Sequence, residues 1–248
     1  MKINKEEYNI IFLHHSTGRI IYNGGKEPNR IMRKLFPQKA YVPKWFNDYN
    51  LINSTNYKIT EQFFPKSNPY GWNNYPYDYY NIWVKNAGPN PYMEEPTLEL
   101  LTKKYDLIIF KHCYPVSNII NDFNKPDINS AEKRLENYKL QYGALKKKLQ
   151  EFPETKFLIW TGAAQVKSKI TEEQALEAKA FFEWVKNEWN IDNDNIFLWD
   201  FYELETEGEL YLKNENACNT NDSHPGKMFA EKVAPLFCKR IIEVIEHN

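Results

Sequence analysis

The chain has 248 residues and a formal net charge of −1, and 42% of its residues are hydrophobic. This length and apolar content suit one α/β domain. The near-zero charge without a basic stripe argues against nucleic-acid binding, and no apolar run approaches the roughly 20 residues of a membrane span. The cysteines, Cys113, Cys218 and Cys238, are too widely spaced for a disulfide scaffold or a structural zinc site. The charged N-terminal segment leads straight into the first strand, which predicts a cytoplasmic protein without a signal peptide, or a secreted one if a leader has been removed.

The first predicted element is a strand at residues 9–13, because an apolar run this short and unbroken is typical of a strand buried on both faces. The run ends in His14, His15 and Ser16. Ligands of parallel α/β sheets bind just beyond the carboxyl ends of the strands. Ser16 is therefore either an ordinary helix N-cap or a nucleophile whose proton is taken by a histidine from elsewhere in the chain.

Residues 41–92 differ in composition from the rest of the chain, with fifteen aromatic residues, ten asparagines and six prolines. They are predicted to form a long loop insertion that lies on the domain, with a strand at Tyr57–Phe64 and an irregular stretch at Pro65–Tyr80. Most of the rings are expected to hold this loop against the domain. The alternative is that a few rings face outward as sugar-stacking platforms beside the site. The candidates are Tyr70, Trp72, Tyr75, Tyr77 and Tyr79, of which Trp72 and Tyr77 are the predicted substrate contacts.

The remaining predicted elements alternate between strands and helices. Strands are predicted at Tyr80–Val84, Asp106–Phe110, Lys156–Trp160 and Ile196–Trp199. Two helices are predicted at Arg30–Phe36, after a cap at Asn29, and at Met93–Lys104. Two more are predicted to begin at capping boxes, one from Asn129–Glu132 to Phe152 and one from Thr171–Gln174 to Trp189. The last helix is predicted after Pro225-Gly226, with a kink or restart at Pro235. This alternation predicts a single domain over residues 1–248, a three-layer α/β sandwich with a mostly parallel central sheet.

Reactive side chains collect at the ends of these strands and before the last helix. Acyl transfer needs a nucleophile, a base that takes its proton, and donors for the oxyanion. Ser16 is the candidate nucleophile, His224 the candidate base, and Asp222 the candidate carboxylate that orients the imidazole. The sequence therefore predicts a catalytic serine at the rim of the sheet.

Oxyanion donors and substrate contacts are predicted from the neighbouring strand ends. The backbone N–H groups of Ser16 and Gly88 and the side-chain amide of Asn118 are the candidate oxyanion donors. His15 and His112 are candidate substrate contacts, and His112 is also an alternative oxyanion donor.

The order of these elements resembles the SGNH hydrolases, also called GDSL-type esterases. Phe12-Leu13-His14-His15-Ser16 is similar to the first sequence block of that family, with His14-His15 in place of the usual Gly-Asp. Asn86-Ala87-Gly88 is similar to the second block, and Asp222-Ser223-His224-Pro225 is similar to the last. The resemblance implies a flavodoxin-like fold and ester hydrolysis through an acyl-Ser16 intermediate, with no cofactor and no metal. It also implies a short acyl group, such as acetyl, on a carbohydrate, and the aromatic segment favours a glycan over a long lipid.

Two departures from the family pattern leave roles open. The family aspartate stands three residues before the histidine, where this chain has Asn221, so that Asp222, Asn221 or a backbone carbonyl orients His224. The third family block, Gly-x-Asn-Asp, is replaced by Lys111-His112-Cys113-Tyr114-Pro115, and Asn118 is the substitute for the family asparagine.

Three other functions are compatible with the same residues. The candidate ligands of a metal-dependent hydrolase are His14, His15, His112, His224 and Asp222. Neighbouring histidines at a strand end point to opposite sides, however, and do not easily share one ion. Cys113, paired with His112 or His224, is an alternative nucleophile, although a buried cysteine more often serves as a small hydrophobic residue. The last alternative is a non-catalytic glycan-binding protein. The expected partner is a small-molecule or glycan ester, and the sequence does not indicate an oligomeric state.

Overall fold

A computed structural model describes residues 7–26, 37–121, 125–191 and 195–247, and a five-stranded parallel sheet lies at its centre. The strands are β1 (Tyr8–His14), β2 (Tyr57–Phe63), β3 (Leu107–Phe110), β4 (Lys156–Trp160) and β5 (Ile196–Trp199). Their order across the sheet is β2-β1-β3-β4-β5, and every neighbouring pair is parallel. Two short antiparallel strands, β6 (Ala217–Asn219) and β7 (Asp222–Pro225), form a separate ribbon. All five carboxyl ends of the central strands therefore share one edge.

Helices connect these strands. They are α1 (Ser16–Tyr22), α2 (Tyr41–Asn53), α3 (Pro76–Tyr80), α4 (Leu98–Leu101), α5 (Leu135–Gln150), α6 (Glu172–Trp184), α7 (Phe201–Thr206) and α8 (Lys227–Glu246). Short 3₁₀ turns lie at Pro37–Lys39, Tyr114–Ser117 and Lys167–Lys169, and π-helical turns at Asn81–Lys85 and Val185–Trp189. In the described part of the chain, no helix combines the length and the apolar character needed to cross a membrane.

Each face of the central sheet is covered by its own group of helices. Ile11 and Leu13 of β1 belong to a buried cluster that includes side chains of α5 and α6. Ile10 and Phe12 belong to a second cluster with side chains of α1, α2 and α8. The division follows because successive side chains of a strand point to opposite faces. The predicted three-layer α/β fold is confirmed, and the central sheet is parallel throughout.

Most local predictions are confirmed to within one or two residues. The strands predicted at residues 9–13, 57–64, 106–110, 156–160 and 196–199 correspond to β1 to β5 in order. The capping box before α6 is also present. The Thr171 hydroxyl accepts a hydrogen bond from the Gln174 N–H at 3.2 Å, and the Gln174 side chain accepts one from the Thr171 N–H at 3.3 Å.

The strand predicted at Tyr80–Val84 is wrong, because the end of α3 and the following π-helical turn occupy this stretch. Tyr79, Ile82 and Trp83 are fully buried, and their spacing of three and four residues places them on one face of a helix. The run of aromatic and branched residues thus reflects burial and not an extended backbone.

Other helix predictions differ from the structure at their ends. The helix predicted from Met93 begins only with α4, because Met93 and Glu94 have positive φ angles of 48° and 63°. The helix predicted from Asn129 begins only with α5, and α8 continues through Pro235 as one helix. The predicted helix Arg30–Phe36, with its cap at residue 29, lies outside the described residues.

The aromatic segment 41–92 is only partly a loop. Its first part forms α2 and the edge strand β2, so the irregular chain begins at Phe64 and is interrupted by α3 and its π-helical turn. Phe64, Tyr79 and Trp83 pack their rings into the cluster beneath α5 and α6, and Trp72 stays exposed. Most of the rings therefore hold the loop to the domain, as expected.

Candidate active site

Ser16 lies at the shared carboxyl edge of the sheet, where β1 ends at His14 and α1 begins. Gly18, the third residue of α1, lies against the end of the strand. A Cβ atom at Gly18 would be 2.5 Å from His14 Cβ, so only glycine permits this close approach. The tight strand–helix junction holds the half-buried Ser16 side chain at the rim.

His224 and Asp222 lie together on β7. Because alternate residues of a strand point to the same side, a spacing of two residues directs both side chains one way. Asp222 Oδ1 is 2.6 Å from His224 Nδ1 and accepts the His224 backbone N–H at 3.0 Å. Asn221 is exposed, and its N–H donates to Asn219 Oδ1, so the carboxylate beside the imidazole is that of Asp222.

The electrostatics of the pair favour an ionised Asp222. Partial burial raises the pKa of this carboxyl, but hydrogen bonds from the backbone N–H and ring of His224, together with the charge of that ring, outweigh burial and leave the pKa below its usual value. An ionised Asp222 accepts hydrogen bonds only, so the proton of a neutral His224 ring is at Nδ1.

The other ring nitrogen of His224 faces Ser16. Nε2 lies 2.8 Å from Ser16 Oγ, across 208 positions of sequence. With the ring proton at Nδ1, Nε2 accepts the Ser16 hydroxyl proton. The structure thus brings Ser16, His224 and Asp222 into one hydrogen-bonded chain, which is an arrangement able to activate a hydroxyl as a nucleophile.

Two residues after β3 complete the surroundings of this chain. The Tyr114 ring packs edge-on against His224, with centroids 5.0 Å apart at 86°. Cys113 directly precedes the 3₁₀ turn Tyr114–Ser117 and is a half-buried free cysteine. Sequence reasoning considered Cys113 only as an alternative nucleophile and gave Tyr114 no role, although both follow a predicted strand end.

A buried lysine directly follows β3, and burial lowers its pKa. Lys111 is fully buried, and its Nζ donates to the His112 carbonyl oxygen. Burial raises the pKa of the Cys113 thiol. The thiol is therefore protonated at neutral pH.

Gly88 and Asn118 have hydrogen-bond partners other than Ser16, and their role as oxyanion donors stays a prediction. The Gly88 N–H donates to Glu99 Oε2 at 3.1 Å, and Glu99 also pairs with Lys148. Asn118 accepts a hydrogen bond from Gln165 through Oδ1. The Gly88 N–H is thus already occupied, whereas the bond of Asn118 uses its oxygen and leaves the side-chain N–H groups as candidate donors beside the backbone N–H of Ser16.

His112 is also removed from the list of substrate contacts and oxyanion donors. Its ring is fully buried, with Nε2 2.6 Å from the Tyr142 hydroxyl and Nδ1 3.2 Å from the Asn74 carbonyl oxygen. Burial, with a smaller contribution from the Lys111 charge, lowers the pKa of His112 to about 3. Both ring nitrogens have buried hydrogen-bond partners, so the neutral His112 ring is part of the packed core.

The ring of His15, the residue before Ser16, packs against Trp72. His15 Nε2 donates to the Pro65 carbonyl oxygen at 2.7 Å, and burial lowers the pKa of the ring to about 4. The Trp72 ring is 60% exposed and packs edge-on against His15 with centroids 4.9 Å apart. Tyr77, in contrast, is half-buried on α3 near Tyr80, and no described hydrogen bond or ring contact joins it to Ser16 or His15.

The proposed metal ligands do not converge. His14 Nε2 is 2.8 Å from Glu61, while His15, His112 and His224 each face the separate partners given above. Across residues 7–26, 37–121, 125–191 and 195–247, no group of three or more His, Cys, Asp or Glu side chains is arranged to hold a metal ion. The donor set of this site therefore does not fit a metal centre.

Similar solved structures include the following two, while no family model and no curated protein matches the sequence. One neighbour, from Streptococcus pneumonia, is described as proposed to be a platelet activating factor. The alignment covers 97% of this chain and 86% of that chain, with 10% identity and a TM-score of 0.47. The other is a family two carbohydrate esterase from Cellvibrio japonicus, where the alignment covers 96% of this chain and 62% of that chain, with 13% identity and a TM-score of 0.46. The functional argument for this chain therefore depends on its own residues.

Proposed function

We propose that this protein is a serine esterase that removes a short acyl group, such as acetyl, from a carbohydrate. The observation that carries the proposal is the hydrogen-bonded chain from Asp222 through His224 to Ser16, with distances of 2.6 Å and 2.8 Å. A nucleophile, a base and an orienting carboxylate at such distances are the parts that hydrolysis of an ester by a serine requires.

The reaction begins when Ser16 Oγ attacks the ester carbonyl carbon while its proton passes to His224 Nε2. The tetrahedral intermediate carries its negative charge on the former carbonyl oxygen, beside the Ser16 N–H. When the intermediate collapses, the leaving alcohol takes the proton from His224, and an acyl-Ser16 ester remains. Water then attacks the acyl carbon and gives its proton to His224. The second collapse releases the carboxylic acid and returns the proton to Ser16, so the cycle needs no cofactor.

Trp72 supports a carbohydrate as the carrier of the acyl group. A large ring that is 60% exposed and packs against His15, the residue before the nucleophile, offers an apolar face to the C–H face of a sugar. The Trp72 ring packs edge-on against His15 and Phe63, with ring centroids 4.9 Å and 6.1 Å apart, and these contacts fix its orientation. Because His15 is neutral and bonded to the Pro65 carbonyl oxygen, this support does not change with pH in the neutral range.

A fluorophosphonate probe tests the nucleophile directly. We expect the probe to label Ser16, identified by peptide mass spectrometry, and Ser16→Ala and His224→Ala each to lower kcat on aryl acetates by orders of magnitude. Ser130→Ala, a serine in the loop before α5, is the matched control and should retain wild-type activity. Hydrolysis that survives in Ser16→Ala contradicts the proposal. Glycan binding without turnover in the wild-type protein favours a binding protein, and activity that a chelator removes favours a metal enzyme.

A further inference from the structure

The imidazole ring of His14, two residues before Ser16, is buried under the start of α1 and has a hydrogen-bond partner at each nitrogen. Nδ1 lies 2.7 Å from the His15 carbonyl oxygen, and Nε2 lies 2.8 Å from Glu61 Oε2 on β2. The ring is fully buried, whereas the Glu61 side chain is 31% exposed. The proposed reaction does not yet use this pair.

The carbonyl oxygen that His14 contacts is also the one that starts helix α1. The His15 oxygen accepts the Arg19 backbone N–H at 3.0 Å, and Ser16 is the first residue of the helix. A Cβ atom at Gly18 would be 2.7 Å from His14 Cγ, so the first turn of the helix packs directly on the ring. The position of the His14 ring therefore fixes the peptide that joins His15 to Ser16, and with it the place of the Ser16 side chain.

The partners at the two ring nitrogens set the number of protons in this group. A carbonyl oxygen and a carboxylate only accept hydrogen bonds, and a neutral imidazole has a single N–H. A neutral His14 beside an ionised Glu61 would leave a ring lone pair facing an oxygen across 2.7 Å or 2.8 Å. Both contacts are hydrogen bonds only when the pair holds two protons. Because the partly exposed Glu61 keeps some contact with water, it is the carboxylate, and both protons are on the ring.

Glu61 contacts the ring directly, and the other titratable or charged side chains around the ring are Tyr22, Arg19 and His15. The Tyr22 ring lies 6.2 Å from His14, and burial raises its pKa well above the ordinary value. Burial lowers the pKa of His15 to about 4, so this ring and Tyr22 are both neutral in the neutral range. The Arg19 guanidinium lies over the Phe63 ring, so its charge is farther from His14 than that of Glu61.

We propose that His14 is a positioning residue of the proposed esterase, which holds Ser16 in reach of His224 only while the His14–Glu61 pair carries two protons. This inference depends on the proposed function. As the pH rises, the pair releases one proton to water, and Glu61 keeps the remaining ring N–H because a charged acceptor binds it more strongly. The Nδ1 lone pair then repels the His15 carbonyl oxygen and displaces the peptide before Ser16. A shift of about 1 Å in a reacting group costs up to about 100-fold in rate, so kcat should fall about tenfold to 100-fold.

The substitution Glu61→Gln separates the effect of the proton from that of packing. Its amide N–H donates to His14 Nε2, which lets a neutral ring donate from Nδ1 to the His15 carbonyl oxygen. One ring proton then satisfies both contacts, so kcat on aryl acetates should stay level from about pH 7 to about pH 10, where that of wild type falls. Glu154→Gln is the matched control, because it removes an exposed carboxylate from the turn before β4 at the opposite edge of the sheet. It should keep the wild-type profile, and Ser16→Ala gives the uncatalysed rate to subtract.

Nitrogen NMR counts the ring protons without any reference to activity. The protein is labelled in its five histidines, and the His14 signals are those that Glu61→Gln shifts most. In wild type we expect two ring protons at about pH 6 and one at about pH 10, with the change at the pH where kcat falls.

The outcomes separate this inference from the function on which it depends. A proton count on His14 that does not change over this pH range overturns the inference and leaves the esterase proposal standing. The same holds for a wild-type kcat that stays level while the ring loses a proton, and for an alkaline fall in kcat that Glu61→Gln leaves unchanged. If the fluorophosphonate probe does not label wild-type Ser16 at any pH, the esterase proposal fails and this inference fails with it, whatever the NMR spectra show.

Discussion

Replacing Asp222 by asparagine tests the carboxylate that the structure places beside His224. In the proposed reaction His224 becomes a cation when it takes the Ser16 proton, and Asp222 Oδ1 lies 2.6 Å from the ring. Opposite charges about 4 Å apart attract by about 4 kcal/mol at an effective dielectric of about 20 and about 1 kcal/mol in water. The His224 and Asp222 side chains are 27% and 37% exposed, so the value lies between these limits. A loss of about 2–3 kcal/mol corresponds to a fall in kcat of about 30-fold to 150-fold.

The assay is the initial rate of aryl acetate hydrolysis by Asp222→Asn, with Asn221→Ala as the matched control. Asn221 is exposed and its N–H donates to Asn219, so its substitution should change kcat by less than about twofold. Asp222→Asn should leave KM nearly unchanged, because the lost interaction is made when the imidazolium forms and not when substrate binds. The reasoning is refuted if Asn221→Ala costs more than Asp222→Asn, or if Asp222→Asn keeps kcat within threefold of wild type.

Three further substitutions test the surroundings of the site. The pKa of His112 is about 3 in the folded protein, so between pH 6 and pH 4 the ring gains a proton only in the unfolded chain. The free energy of unfolding therefore falls as the pH falls. In urea titrations, His112→Gln should reduce that slope by about 1.4 kcal/mol per pH unit. Burial raises the pKa of Glu205 to about 8, so the folded protein keeps a proton that the unfolded chain loses above about pH 4.5. Glu205→Gln should therefore gain about 3 kcal/mol more stability relative to wild type at pH 8 than at pH 5, and a gain equal at both pH values contradicts the buried acid. Trp72→Ala should raise KM for an acetylated sugar roughly threefold to tenfold, from a ring contact of about 0.5–1.5 kcal/mol, while Tyr77→Ala should not.

The parts of the fold that sequence predicts well are those whose signal is local. The short apolar runs of β1, β3 and β4 are buried on both faces and that of the edge strand β5 is partly buried, so their composition predicts strands. The capping box at Thr171 specifies the start of α6 through two hydrogen bonds within three residues. Tyr80–Val84 has the composition of a strand too, but it is helical because Tyr79, Ile82 and Trp83 fill the core from one helix face.

The site also has one part that the sequence predicts and one part that it does not. That Ser16 and His224 lie close together could be anticipated, because the carboxyl ends of parallel strands share one edge and the last helix starts there. The directions of the Gly88 N–H and the His112 ring could not be anticipated, because each is set by a partner distant in sequence. The Gly88 N–H donates a hydrogen bond to Glu99, and His112 Nε2 is hydrogen-bonded to the Tyr142 hydroxyl. The sequence indicates which residues lie near the carboxyl edge of the sheet. The packing of the loops then sets which of their polar groups point toward that edge.

The spacing of Asp222 and His224 follows from the backbone, and one double substitution tests this. Pro225 disfavours helical backbone at the residue before it, so His224 is extended and lies in β7, where a carboxylate two residues earlier shares its side. Moving the carboxylate by one residue, in N221D/D222N, keeps the net charge but places the acid outside β7. The double variant should therefore be as slow as Asp222→Asn in kcat on aryl acetates. Recovery to within threefold of wild type would show that residue 221 reaches the imidazole, and the strand geometry would then not be what selects Asp222.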